Sequence, residues 1–153
     1  MPTGQATWMI VVPLPAAFSK LAGNTVAWAS KKQATVALST AEAEYMAMAA
    51  AVTEAKWLRT LLTDIGIPSP HRAIRLLCDN QAAIRIASPE SSTGHTRCKH
   101  IDVRHHFVRE LVQAGTVSVE WVPSSDQLAD ICTKAVQQMT FKTLHKKIMT
   151  GEE

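Results

Sequence analysis

The spacing of apolar residues changes along this chain, and each change marks an element. Residues 7–12 form a β-prone run that Pro13 and Pro15 then stop, because neither can continue a hydrogen-bonded ladder. Ala22, Gly23 and Asn24 separate a short apolar stretch from residues 25–30, which predicts a hairpin. Residues 30–33 are a polar, basic break, and residues 34–38 are an extended approach to a helix. Ser39 stands three positions before Glu42, the spacing at which two side chains satisfy free donors at a helix start. Tyr45, Met48, Val52, Ala55 and Leu62 recur at helical spacing and predict a core-facing stripe, ended by Gly66 and Pro68.

Residues 73–78 predict a mostly buried strand, followed by Asp79-Asn80 and a short helix over 81–87. Residues 91–94 are expected to be a loop. Ile101, Val108, Leu111 and Val112 predict another amphipathic helix, closed by Gly115. Val117, Val119 and Trp121 alternate with Ser118 and Glu120, the period-two pattern of a strand. Ser124 and Gln127 repeat the capping-box spacing before an expected helix carrying Leu128, Ile131, Cys132 and Ala135. A final segment with Phe141, Leu144 and Ile148 is basic on its other faces. This order predicts a mixed α/β layer fold with helices covering a sheet.

Composition narrows the class. With 153 residues, 46% of them hydrophobic and 19% charged, the chain suits one globular domain with a substantial core. A net charge of +3 suits a phosphate-rich partner without demanding one. Cys78, Cys98 and Cys132 are odd in number and lack paired spacing, which favours a reducing, intracellular setting, cytoplasmic or nuclear. No apolar run is as long as a membrane span. The apolar stretch 8–17 has no basic residue before it and contains two prolines, so it is not expected to be a signal peptide.

Three carboxylates stand where α/β sheets build sites: Glu44 early in the long helix, Asp79 closing the buried strand, and Asp130 near a helix start. Carboxylates from separate elements can hold divalent cations that clamp a phosphodiester. Spacing alone also allows plainer roles. Asp79 could cap the following helix, Asp130 could pair with Lys134 at i, i+4, and Glu44 could be an exposed helical residue.

Five stretches add a resemblance: residues 27–33 (AWASKKQ), 39–47 (STAEAEYMA), 78–84 (CDNQAAI), 99–107 (KHIDVRHHF) and 128–134 (LADICTK). In order and spacing they resemble successive signatures of copia-type retrotransposon ribonuclease H domains, over about residues 18–148. That resemblance implies a ribonuclease H-like fold, a five-stranded mixed sheet with helices on both faces. It also implies hydrolysis of the RNA strand of RNA–DNA hybrids by two Mg2+ (or Mn2+) ions on four acidic residues. Three of these carry over onto Glu44, Asp79 and Asp130; Glu42 is the rival to Glu44, but the capping box already employs it.

The fourth acid should sit on the opening strand, and no Asp or Glu precedes Glu42. Residues 1–17, free of charged side chains, do not resemble the family's first strand. They are expected to be an unrelated leader ahead of a domain over 18–150, with residues 7–12 pairing beside residues 25–30 as a substitute strand. Catalysis is therefore expected to be impaired. The alternative is a non-catalytic nucleic-acid or protein-binding module that retains the fold, and a remnant without a selected role is a third reading.

The remaining candidates surround this site. His95, Cys98 and His100 have no second ligand pair at finger-like spacing, so zinc is not expected. His95 is instead expected near the site as a proton shuttle. Arg97, Lys99 and Arg104, with Lys31, Lys32 and Asn80, are expected to contact the nucleic acid. Trp28 and Trp121 are expected in the core or on a sheet face rather than as base-stacking platforms.

Overall fold

The computed structural model describes residues 8–11, 16–30, 39–67, 73–90 and 99–150, with residues 8 and 99–105 described as backbone alone. Among the described residues five strands form one sheet: β1 (Trp8–Val11), β2 (Ala16–Leu21), β3 (Asn24–Ser30), β4 (Ile74–Cys78) and β5 (Val117–Trp121), in the order β3-β2-β1-β4-β5. The β1–β2 and β2–β3 pairs are antiparallel, whereas β1–β4 and β4–β5 are parallel. Helices α1 (Thr40–Asp64), α2 (Gln81–Ala87), α3 (Lys99–Gln113) and α4 (Gln138–Thr150) complete the fold. This mixed α/β architecture is consistent with the ribonuclease H-like fold expected from sequence.

Residues 8–11 therefore enter the sheet, but not where expected. They lie between β2 and β4, while the neighbour of β3 is β2. Side-chain chemistry explains the arrangement. Met9, Ile10 and Val11 are all buried, as a strand covered on both faces requires. Strand β3 alternates exposed and half-buried positions and suits an edge. Residues 17 and 18, where the leader was expected to meet the domain, are consecutive positions of β2.

Ile10, Leu76 and Cys78 join Tyr45, Met48 and Val52 of α1 in one core, which α3 extends through Val108. Met9, Val11, Phe18 and Leu77 form the other core with Leu128 and Leu144, beneath α4. Ser39 caps α1 by accepting the Glu42 amide at 3.1 Å. Gly66 ends it with φ +80°, a left-handed conformation that glycine adopts without steric cost. Helix α4 is tied to the hairpin through its last turn. The buried Lys20 ammonium donates to the Lys147 carbonyl at 3.0 Å, and the Thr25 hydroxyl donates to the Ile148 carbonyl at 3.2 Å. A buried cation at carbonyls left free by a helix end has both charge and hydrogen-bond complementarity.

One expected helix is absent. Residues 124–132 form two short 3-10 turns, Ser124–Asp126 and Leu128–Cys132, neither with a side-chain cap. Among the described residues no helix is long and apolar enough to cross a membrane.

Candidate functional site

Strand β4 ends at Cys78, and Asp79 follows at the carboxyl edge of the sheet. Glu44, in the second turn of α1, is buried beside it. One ligand atom each from Glu44, Cys78 and Asp79 lies within 4.8 Å of the other two. Two of the three expected acids thus converge at one edge.

Asp79 is oriented by the 3-10 segment. Ser124 Oγ donates to its Oδ2 at 2.9 Å, and Gln127 Nε2 approaches its Oδ1 at 3.5 Å. The two residues matching a capping box in sequence are therefore spent on a carboxylate of another element. Asp79 does not cap α2; Asn80 does, its Oδ1 accepting the Ala82 and Ala83 amides at 3.0 and 3.1 Å. That commitment occupies the acceptor of a residue expected to contact nucleic acid.

Asp130 is buried in the second 3-10 turn and stands outside the ligand-atom group. Its Oδ2 lies 2.6 Å from Lys134 Nζ, the i, i+4 pairing that spacing alone had allowed.

Cys78 is the member that sequence reasoning passed over, since its apolar strand gave it no chemical signal. Burial pushes its thiol up to about 12; the Asn80 backbone opposes the rise, and the Glu44 and Asp79 charges add to it. A soft sulfur is a poor match for Mg2+ or Mn2+, which take oxygen ligands. It instead approaches the Asn80 carbonyl at 3.8 Å and accepts the Asn80 amide at 3.3 Å. The hard donors are then two carboxylates, a set that fits one Mg2+ or Mn2+ completed by water. No described residue of β1 supplies a further carboxylate.

Trp121 and Trp28 are both more exposed than a core role allows, at 53% and 69%. Trp121 pairs with Cys78 across β4–β5, beside the candidate site. His95, Arg97, Lys31, Lys32 and Cys98 lie outside the described residues, and the side chains of Lys99, His100 and Arg104 are likewise not described.

Comparison with known proteins adds an evolutionary relationship. The chain is 38% identical over 128 residues, 84% of its length, to a retrovirus-related Pol polyprotein from transposon RE2 of Arabidopsis thaliana. It is also 38% identical over 120 residues, 78% of its length, to a retrovirus-related Pol polyprotein from transposon TNT 1-94 of Nicotiana tabacum. The chain is homologous to a segment of retrotransposon Pol polyproteins. It spans 9% of the length of each of these two relatives. A stretch of 39 residues is 62% identical to secreted RxLR effector protein 161 of Plasmopara viticola, covering 26% of this chain and 28% of that protein. No protein-family model and no solved structure matches the chain.

Proposed function

We propose that this chain is a ribonuclease H-like segment of a copia-type Pol polyprotein that binds RNA–DNA hybrids and hydrolyses them far more slowly than a complete domain. The observation that carries this reading is the meeting of Glu44 and Asp79 at the carboxyl edge of β4. Both positions belong to the stretches through which the chain resembles that family.

Glu44 and Asp79 would hold a Mg2+ or Mn2+ ion. Such an ion polarises a phosphodiester and activates water for in-line attack. Ser124 and Gln127 keep the Asp79 carboxylate aimed at the edge, and Trp121 flanks it. His95 would shuttle protons, while Arg97, Lys99, Arg104, Lys31 and Lys32 would neutralise phosphates. Among the described residues β1 carries only apolar side chains where the resemblance implies an aspartate, so a second metal ion would be short of a ligand. Asp130, paired with Lys134, contributes only if that pair opens.

The test is cleavage and binding of a labelled RNA–DNA hybrid in Mg2+ or Mn2+, with Glu44→Gln as control. Slow, Glu44-dependent cleavage with salt-sensitive binding is expected, and the Arg97, Lys99 and Arg104 triple alanine variant should bind at least several-fold more weakly. Fast Glu44-dependent cleavage would overturn the impairment. Binding without any cleavage favours the second reading, a non-catalytic module, which the Asp130–Lys134 ion pair supports.

A further inference from the structure

Trp121 closes the row of side chains that β4 and β5 present towards α1. The parallel register pairs Ile74 with Val117, Leu76 with Val119 and Cys78 with Trp121, and directly paired residues point to the same face. Ile74, Leu76, Cys78 and Val117 are buried in the core beneath α1, and Val119 packs against it. The third pair breaks that pattern, for Cys78 is fully buried whereas Trp121 is 53% exposed. Helix α1 brings Glu44 to this face, and Asp79 follows Cys78 directly. The indole therefore stands one strand spacing, about 4.8 Å, outward from the strand whose end carries the candidate metal edge. On the opposite face Arg75 binds Glu120 at 2.9 Å, so that charge is neutralised away from the ring.

The chemistry of the edge says what meets the ring. Without a cation, Glu44 and Asp79 repel a phosphate. One divalent ion cancels both charges and keeps positions open for a phosphodiester oxygen. A phosphodiester held there brings its adjoining sugars within reach of the neighbouring strand. In a paired duplex the bases stack on one another, and an A-form minor groove is wide and shallow and displays its sugars. A half-exposed indole offers such a sugar a flat apolar surface and a single N–H donor. A basic protein segment would also neutralise the acids. Glu44, however, is only 7% exposed, and a bare ion reaches a recessed carboxylate more readily than a lysine that must carry its stem in with it.

We infer that Trp121 is a substrate-contacting residue of this edge, its ring packing against the sugar next to the metal-held phosphate of an RNA–DNA hybrid. The inference rests on the metal-dependent reading of the Glu44–Asp79 edge and extends it, because the ring contributes only once a cation has brought the phosphate in. The affinity for hybrid thus couples Trp121 to the metal.

The experiment is fluorescence anisotropy of a dye-labelled RNA–DNA hybrid with the full chain, in Mn2+ and in EDTA, beside calorimetric titration with Mn2+ alone. In Mn2+, Trp121→Ala should weaken hybrid binding about tenfold, the order of one lost aromatic contact, while Trp121→Phe should retain most of it. In EDTA the parent and Trp121→Ala should differ by less than about twofold, because the contact does not form without the cation. Both variants should keep the parent's Mn2+ affinity and melting temperature. The contact is rejected, with the metal reading intact, if Trp121→Ala binds hybrid in Mn2+ as well as the parent while Glu44→Gln binds it more weakly. It is also rejected if Trp121→Ala loses as much affinity in EDTA as in Mn2+, which makes the ring a general surface contact. Loss of Mn2+ affinity in both Trp121 variants rejects it too, since the ring then supports the site rather than the substrate. A parent chain that takes up no Mn2+, and binds hybrid no better in Mn2+ than in EDTA, overturns the metal reading itself and this inference with it.

Discussion

The Ser124 hydroxyl donates a 2.9 Å hydrogen bond to Oδ2 of Asp79. It fixes the direction of a carboxylate that would otherwise rotate at the sheet edge. Partners of this kind usually matter more to a bound metal than to the fold. Ser124→Ala is therefore expected to change unfolding stability by less than about 1 kcal/mol yet weaken Mn2+ binding about tenfold. Calorimetric titration with Mn2+ beside urea unfolding checks both. An equal loss in the two would make Ser124 a structural residue only.

Ile10 lies on the same face as Leu76 and Cys78, at the centre of the sheet. Ile10→Asp would place a carboxylate on the side from which Glu44 approaches. Without metal, burying it should cost about 3–5 kcal/mol. Mg2+ should then raise the variant's melting temperature and increase hybrid cleavage above the parent. Val11→Asp, on the α4 face, should lose similar stability with no response to Mg2+. Equal responses in the two variants would count against an acid-deficient metal site.

Much of this arrangement could be read from sequence, and the failures share a cause. Helix α2 falls on residues 81–87 as expected, because Asn80 and Ser88 punctuate it locally. Helix α1 announces its start through Ser39 and its end through Gly66. The neighbours of β1 are set instead by non-local pairing, which no local pattern states. Its unbroken apolar character was nonetheless a sign of a central strand, since the half-exposed β3 could not be buried on both faces. Ser124 and Gln127 misled for the same reason. Their spacing fits a helix cap, but their partner stands 45 and 48 residues away. The Lys20 contact with α4 spans 127 residues and left no sequence signal.

Ala22 sits at φ 52° in the β2–β3 turn, followed by Gly23 at φ 81°. Left-handed backbone costs a residue with a Cβ about 1 kcal/mol, and Asn-Gly is the favoured pair for such a turn. Ala22→Asn should stabilise the chain by about 0.5–1 kcal/mol, read as a higher urea midpoint at unchanged m-value. A lower midpoint would mean that the turn is held by something other than its backbone preference.

The Cys78 thiol, pushed from 9.0 to about 12 chiefly by burial, ties stability to alkaline pH. The unfolded chain releases this proton first as pH passes about 9, whereas the folded chain keeps it. Bound protons then favour the folded state, and stability falls between about 9 and 12. Below that window the thiol contributes no pH dependence. Urea unfolding at pH 8 and pH 10 should show a smaller decline in Cys78→Ala than in the parent. Identical declines would show that other groups, such as the similarly raised Tyr45, carry the whole effect.

Lys134 decides what Asp130 can do. The lysine is 57% exposed and its partner carboxylate 8%, so the pair joins a solvated cation to a buried anion. Divalent metal and ammonium compete for the same oxygen, and a 2.6 Å contact leaves that oxygen engaged. Removing the ammonium exposes the competition. Lys134→Ala leaves a buried carboxylate without its cation, which should cost stability in metal-free buffer by up to a few kcal/mol. If Asp130 can swing towards the Glu44–Asp79 edge, Mn2+ supplies the missing positive charge. The variant should then bind Mn2+ several-fold more tightly than the parent and recover its melting temperature as metal is added. The same variant in an Asp130→Asn background should show neither gain, because no carboxylate remains to be released. Should Lys134→Ala bind Mn2+ no better than the parent, Asp130 belongs to its ion pair alone, and the metal binding proposed for this chain would have to rest on Glu44 and Asp79.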